Sequence, residues 1–123
     1  VVGANESEIE KEVSATLEKV GLLEKAESFP VQLSGGEVQR TAIARAIVAK
    51  PQILLADEPT GDLDPKTAID VITLMEKINK EDKTTLIIAT HNVAIVNHFK
   101  KRVITLKKGK ITSDDKEGKY DSD

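Results

Sequence analysis

Two adjacent carboxylic acids, Asp57 and Glu58, directly follow an apolar run at residues 53–56. A short apolar run without polar alternation favours a strand that is buried on both faces of a parallel sheet. Ligands of open α/β sheets bind beyond the carboxyl ends of the strands. One carboxylate there can hold Mg²⁺, and the other can orient or deprotonate a water. An acidic pair in a surface loop is the alternative, but apolar runs that end in Asp-Glu-Pro are uncommon.

The second group of candidates is Ser34, Gly35, Gly36 and Glu37, at the start of a segment rich in helix-forming residues. The first turn of a helix has unpaired backbone N–H groups and a partial positive charge. Two glycines allow an anion to approach that backbone because no Cβ stands in the way, and Ser34 can add its hydroxyl. These features suit a phosphate. A plain capping box explains the same residues, and taken alone the pattern favours that simpler interpretation.

Asp64 and His91 complete the set of candidates. Asp64 ends an acidic turn at residues 60–64 and precedes Pro65, which is typical of a helix N-cap followed by the first helical position. His91 directly follows residues 84–90, which we predict to form a second buried strand. A single histidine is more often structural than catalytic. Because we expect the two strands to be parallel, however, His91 and Glu58 should lie at the same edge of the sheet.

The elements that must position these residues follow from capping patterns and apolar spacing. Ser7 and Glu10 form a capping pattern before apolar residues at helical spacing. The predicted helices span residues 8–20, 38–49, 65–80 and 92–99, and the predicted strands span 53–56, 84–90, 103–106 and 110–112. Strands that alternate with helices imply an α/β layer with a mainly parallel sheet.

Composition limits the classes of function. The chain has 123 residues, enough for one modest domain, and its 2% aromatic content requires an aliphatic core. A net charge of −3 gives no general attraction to nucleic acid or to anionic membranes. The absence of cysteine excludes disulfides, and no apolar run approaches the roughly 20 residues of a membrane span. The chain begins with Val1 rather than methionine, so we expect it to begin within a longer protein.

The four features, in this order, resemble the ABC ATPase family over residues 1–112. Residues 33–37 resemble the signature motif, residues 53–58 the Walker B motif, residues 61–64 the D-loop, and His91 the switch histidine. The resemblance implies that ATP and Mg²⁺ are the cofactors and that the protein works as a dimer with a second ATPase subunit.

The resemblance also implies a role for each candidate. Asp57 would organise Mg²⁺, Glu58 would be the catalytic base or water-orienting group, and His91 would contact the γ-phosphate. Asp64 would lie at the seam of the dimer. The signature residues, which would contact a nucleotide held by the opposite subunit, are Ser34, Gly35, Gly36 and Glu37.

The chain departs from the family in one respect, since it contains no G-x-x-x-x-G-K-[ST] phosphate-binding loop. We therefore expect a partial P-loop NTPase fold that lacks the N-terminal half. Residues 1–33 would be part of the helical subdomain, residues 34–113 the C-terminal part of the ATPase core, and residues 114–123 a polar, disordered tail. The 123 residues alone should bind ATP poorly and not hydrolyse it, and exposed sheet edges should promote self-association.

Within the family, residues 56–64, 89–97, 101–104 and 118–120 are similar to the cell-division ATPases. That similarity implies a cytoplasmic ATPase held at the inner face of the plasma membrane by an integral-membrane partner, without a membrane span of its own and without nucleic acid as a partner.

Three alternatives remain open. An export ATPase for lipoproteins or macrolides would share every catalytic residue. The head lobe of a chromosome-maintenance or DNA-repair ATPase would enter from a coiled coil, and residues 1–33 show no heptads. A non-catalytic module that supplies only a signature surface would not need both Asp57 and Glu58.

Overall fold

The computed structural model describes residues 3, 5–27 and 32–121. Its elements are α1 (Glu6–Lys19), a 3₁₀ helix (Leu23–Lys25), α2 (Gly35–Ile47), β1 (Ile53–Asp57), α3 (Pro65–Asp82), β2 (Thr85–Ala89), α4 (Val93–Phe99), β3 (Val103–Lys107) and β4 (Lys110–Asp115). The chain forms two compact units, residues 1–89 and 90–123. The predicted α/β class and order of elements are confirmed.

In the first unit, β1 and β2 are parallel, as predicted, and their register runs from Ile53 opposite Thr85 to Asp57 opposite Ala89. The helix α3 connects the two strands and packs against α2 and β2. Its apolar stripe contributes the most deeply buried residues of this unit, with Val71, Met75 and Ile78 at most 1% exposed. The strands are therefore held from one side by long helices.

The prediction that residues 53–56 are buried on both faces was wrong for this chain. Leu54 is 6% exposed, whereas Leu55, the next residue, is 72% exposed. Side chains alternate between the two faces of a strand, and Ile53 and Ile87 are also more than half exposed. The elements of the first unit thus cover one face of the strand pair and leave an apolar face open.

The first helix begins two residues before the predicted start. Its N-cap is Asn5, whose side chain accepts a hydrogen bond from the Glu8 amide at 2.9 Å while the Glu8 carboxylate accepts one from the Asn5 amide at 3.2 Å. The predicted capping pair of Ser7 and Glu10 lies inside the helix instead. The C-terminal end of α1 is stabilised by an ion pair between Lys19 and Asp82 and by the burial of Val20, which is 2% exposed.

In the second unit, α4 is capped by Asn92, whose side chain accepts from the Ile95 amide at 3.1 Å. β3 and β4 form an antiparallel hairpin. Its turn residues Lys108 and Gly109 have φ of 49° and 75°, and positive φ at both positions is what a two-residue hairpin turn needs to match the right-handed twist of its strands. Among the described residues, no helix is long and apolar enough to span a membrane.

The polar tail differs from its predicted disorder. β4 extends to Asp115, and beyond it the Gly118 amide donates to the Lys101 carbonyl at 3.1 Å. The side chain of Asn97 pairs with both backbone groups of Tyr120, at 3.0 and 3.3 Å. Because these contacts use backbone groups, a polar composition does not prevent them. Residues 122 and 123 of the predicted tail lie outside the described residues.

The division of the chain at residues 33 and 34 into a helical subdomain and an ATPase core stays a prediction. Residues 1, 2, 4 and 28–31 of the first segment lie outside the described residues.

Candidate functional site

The candidate site of the first unit begins where β1 ends. Asp57 is the last residue of the strand and is exposed. The next amide, that of Glu58, donates to the carbonyl of Ala89 at 2.8 Å, so the pairing with β2 continues one bond beyond the strand. The structure therefore places both acidic residues at the carboxyl edge of a parallel strand pair, as the sequence predicts.

Glu58 has a backbone conformation that its residue type disfavours. Its φ is +46°, in the left-handed region that few residues other than glycine occupy, and its side chain is half-buried. Its carbonyl accepts a hydrogen bond from the Gly61 amide at 3.2 Å, which closes a turn directly after the strand. Strained backbone that the surroundings hold in place is concentrated at functional sites, so this conformation supports the assignment of Glu58 as a site residue.

The carboxylates at this edge of the strand pair suit Mg²⁺ that is bound together with substrate phosphates. Within residues 3, 5–27 and 32–121 there is no group of three or more histidine or acidic side chains that could hold a metal. Mg²⁺ is usually bound by one or two carboxylates together with substrate phosphates and water. The exposed carboxylate of Asp57 suits that mode of binding, in which the phosphates complete the coordination.

At the start of α2, the capping-box alternative is present in full. The Ser34 hydroxyl accepts from the Glu37 amide at 3.2 Å, and the Glu37 carboxylate accepts from the Ser34 amide at 3.0 Å. The bond from the Ser34 amide lowers the pKa of Glu37 below its ordinary value. Because the hydroxyl of Ser34 accepts in this box, its proton remains able to reach a further acceptor.

The two glycines inside that box leave backbone available. Gly35 and Gly36 are the first helical residues of α2, and amides of the first helical turn have no partner within the helix. Gly35 is exposed and Gly36 is buried. The capping box and a phosphate contact therefore use different groups, and the two interpretations are compatible.

The signature residues lie against the start of α3. A Cβ on Gly36 would lie 2.6 Å from Cγ2 of Thr67, and a Cβ on Gly35 would lie 3.2 Å from Cδ2 of Leu63. The structure thus brings residues 34–37 together with residues 63–67, the D-loop-like segment and the turn that follows it. Backbone approaches this close require glycine, at least at Gly36.

Asp64 is the N-cap of α3, as predicted. Its carboxylate accepts a hydrogen bond from the Thr67 hydroxyl at 2.5 Å and one from the Thr67 amide at 3.1 Å. These bonds, that of the hydroxyl first, lower the pKa of Asp64. The positive end of the α3 dipole also favours the ionised carboxylate.

Thr67 is the residue at this site that sequence reasoning missed. It stands three positions after the N-cap, where its amide is an expected capping partner. The available signal was its type, since a threonine at that position can add a hydroxyl donor to the same carboxylate.

His91 belongs to the second unit. It is exposed and precedes Asn92, the N-cap of α4. The neighbouring Thr90 accepts a hydrogen bond from the Asn92 amide through its hydroxyl at 3.0 Å, which tightens the turn that carries the histidine. That His91 joins Glu58 at one catalytic centre stays a prediction.

Comparison with known proteins places this geometry in context. The family model described as "ABC transporter" matches residues 2–61. The chain is 48% identical over 123 residues to the cell division ATP-binding protein FtsE of Streptococcus pneumoniae serotype 2 (strain D39), covering all of this chain and 53% of that protein. It is 50% identical over 122 residues to FtsE of Bacillus subtilis (strain 168), covering 99% and 53%. The chain thus spans about half the length of the curated relatives it matches.

Solved structures agree with the family match. The dimeric ATP-binding cassette MJ0796, in a post-hydrolysis state bound to ADP and Pi, aligns with a TM-score of 0.77 at 38% identity, over 98% of this chain and 52% of that one. CbiO1 of Clostridium perfringens, part of the ABC transporter complex cbiONQ, aligns with a TM-score of 0.87 at 33% identity, over 94% and 46%. The predicted partial P-loop fold and the predicted resemblance to ABC transporter-type ATP-binding subunits are both confirmed.

Proposed function

We propose that the full-length protein binds and hydrolyses ATP as the motor subunit of a membrane complex of the FtsE kind. The observation that carries the proposal is the identity of 48% along the whole chain to a cell-division ATP-binding protein. The geometry supports it, because Asp57 and Glu58 stand at the carboxyl edge of a parallel strand pair, where ligands of α/β sheets bind.

In the proposed reaction, Glu58 orients or deprotonates the water that attacks the γ-phosphate. Its half-buried carboxylate follows a strand end that is fixed by the bond from its own amide to Ala89. Phosphoryl transfer depends chiefly on positioning and on stabilising charge, and a rigid strand end supplies positioning. Asp57 would hold Mg²⁺, which neutralises phosphate charge when bound, and His91 would contact the γ-phosphate.

The signature residues act on a second subunit. We infer that Ser34, Gly35 and Gly36 contact the nucleotide of the opposite ATPase subunit through backbone amides and a hydroxyl, with Glu37 holding the turn in shape. The chain has no phosphate-binding loop motif of its own, so the nucleotide must be held mainly by residues outside these 123. The chain alone should therefore be inactive. Asp64 would lie at the seam between the subunits.

The partner we propose is an integral-membrane protein of the FtsX type, which would hold the ATPase at the inner face of the plasma membrane. The support is the similarity to FtsE proteins. Co-expression tests this point: the full-length protein should sediment with membranes when its FtsX-type partner is present and stay in the supernatant when the partner is deleted. Recruitment that does not depend on the partner would contradict it and favour the lipoprotein-release or macrolide-export alternative.

The test of the catalytic proposal is ATP hydrolysis by the full-length protein and by its Glu58→Gln variant. Loss of a general base lowers the rate by roughly 10²- to 10⁴-fold. The variant should still bind ATP and should accumulate as an ATP-bound dimer in size-exclusion chromatography. Glu81→Gln is the matched control, because it removes the same charge from the exposed end of α3. Equal turnover in all three proteins would refute the role of Glu58.

A further inference from the structure

We propose that Thr67 is a positioning residue that locks the signature turn, residues 34–37, to the D-loop-like aspartate Asp64. The inference rests on the proposed function for its consequence, since it concerns two segments that would contact the opposite subunit. The contact itself is a property of the fold and is testable without nucleotide.

The two ends of the Thr67 side chain make different contacts. Its hydroxyl donates to one carboxylate oxygen of Asp64 at 2.5 Å, and its amide donates to the other at 3.1 Å. Its methyl group faces Gly36, where a Cβ would be only 2.6 Å away. One short side chain thus bonds to Asp64 on one side and fills the space above Gly36 on the other.

The side chain has little freedom to change this arrangement. Two heavy atoms on Cβ restrict threonine to a few rotamers, and the hydrogen bond to Asp64 selects among them. Once the hydroxyl points to Asp64, the direction of the methyl group is fixed. A displacement of Asp64 therefore moves the methyl group, and through it the first turn of α2.

A second close approach, between Leu63 and Gly35, further restricts the position of the signature turn. Leu63, which precedes Asp64, lies 3.2 Å from the position of a Cβ on Gly35. Thr67 and Leu63 thus hold the two adjacent glycines from one segment. Close-packed interiors transmit small displacements because few voids absorb them. In the proposed dimer, contacts at Asp64 and phosphate contacts at Gly35 and Gly36 would form and break together.

Two substitutions separate the two halves of the Thr67 side chain. Thr67→Val keeps the methyl group and removes the hydroxyl bond, whereas Thr67→Ser keeps the hydroxyl and removes the methyl group. Each is tested in the full-length protein with Glu58→Gln as background. Each should weaken ATP-dependent dimerisation by roughly tenfold, while ATP binding to the monomer stays unchanged. A residue with a structural role alone would lower the melting temperature without this selective loss.

The contact with Gly36 is tested by a double-mutant cycle. Gly36→Ala should lower the melting temperature by roughly 5 °C, because its methyl group would overlap that of Thr67. Thr67→Ser in the same chain removes the overlapping atom and should restore most of the loss. Additive effects of the two substitutions would overturn the contact.

The outcomes distinguish this inference from the proposed function. If the Glu58→Gln parent forms ATP-dependent dimers and both Thr67 variants dimerise equally well, the locking role is overturned and the ATPase proposal stands. If the parent itself forms no such dimers, the proposed function is overturned together with the nucleotide-linked part of this inference. The double-mutant cycle still decides the contact in that case.

Discussion

Two adjacent leucines on β1 should respond very differently to truncation. Leu54 and Leu55 are the same residue type in the same strand, but Leu54 is 6% exposed and Leu55 is 72% exposed. Replacing each by alanine removes the same three carbon atoms and changes strand propensity by the same amount. Any difference in stability therefore reports the difference in packing on the two faces of the strand.

The expected losses follow from burial. Three carbons at about 0.8 kcal/mol each give about 2.4 kcal/mol for full burial. Leu54 loses nearly all of this and leaves a cavity, so Leu54→Ala should lower the free energy of unfolding by about 2–5 kcal/mol. Leu55 is buried over roughly a quarter of its surface, so Leu55→Ala should cost only about 0.7 kcal/mol.

Urea unfolding of the 123-residue chain measures both losses. With a slope of about 2 kcal/mol/M, Leu54→Ala should lower the midpoint by at least about 1 M and Leu55→Ala by about 0.3 M. Equal losses in the 123-residue chain would refute the one-sided packing. The same pair in the full-length protein tests what lies over the open face, because covering it would raise the cost of Leu55→Ala to that of Leu54→Ala.

Three further predictions concern the backbone, the tail and pH. Lys83 ends α3 with φ of +58°, so Lys83→Gly should raise the free energy of unfolding by about 0.5–1 kcal/mol while Lys83→Ala does not, as measured in urea. Gly118→Ala should lower it by about 1–3 kcal/mol, because the new Cβ would lie 2.5 Å from Cβ of Val103; Val103→Ala, which keeps that atom, should restore only part. Arg102 donates two hydrogen bonds of 2.8 Å to Asp114 and so lowers the pKa of Asp114. The stabilisation by this pair is present above the unfolded-state pKa and is lost as pH falls through the lower folded-state pKa. Asp114→Asn should therefore make the free energy of unfolding fall less steeply at acid pH. An unchanged slope would contradict the pairing.

The helices could be predicted well where capping and apolar spacing agree. Asp64 followed by Pro65 located the start of α3, and the structure begins that helix at Pro65. The end of α3 was harder to predict because a lysine, Lys83, adopts the left-handed conformation that usually identifies a glycine. At α1, two capping patterns overlap in the sequence, Asn5 with Glu8 and Ser7 with Glu10, and the structure uses the first.

Burial could be predicted less well than secondary structure. The uniform apolar run of β1 is typical of a strand that is buried on both faces. It does not identify the helices or strands that would pack against each face. In the tail, composition predicted disorder, but two specific contacts hold the described residues in place. Gly118 packs against Val103, and the Asn97 side chain forms hydrogen bonds with the backbone of Tyr120. Such contacts leave no periodic pattern in a sequence.

The candidate site also combines features that the sequence predicts with features that it does not predict. The positions of Asp57 and Glu58 at the strand end follow from the apolar run before them, and the structure agrees. The positive φ of Glu58 has no local signal, because the residue type itself disfavours it. It arises from the bond between the Glu58 amide and Ala89 and from the turn closed by Gly61, which are contacts that only the folded chain defines.

The glycines of the signature turn need two explanations, and the structure separates them. A capping box requires only Ser34 and Glu37, so it does not account for the two residues between them. Packing accounts for Gly36, because any Cβ there would overlap Thr67. Gly35 is exposed and its nearest neighbour leaves more room, so packing constrains it less. Phosphate binding is therefore the stronger explanation at Gly35 than at Gly36, and Gly35→Ala should impair ATP-dependent dimerisation with a smaller loss of melting temperature than Gly36→Ala.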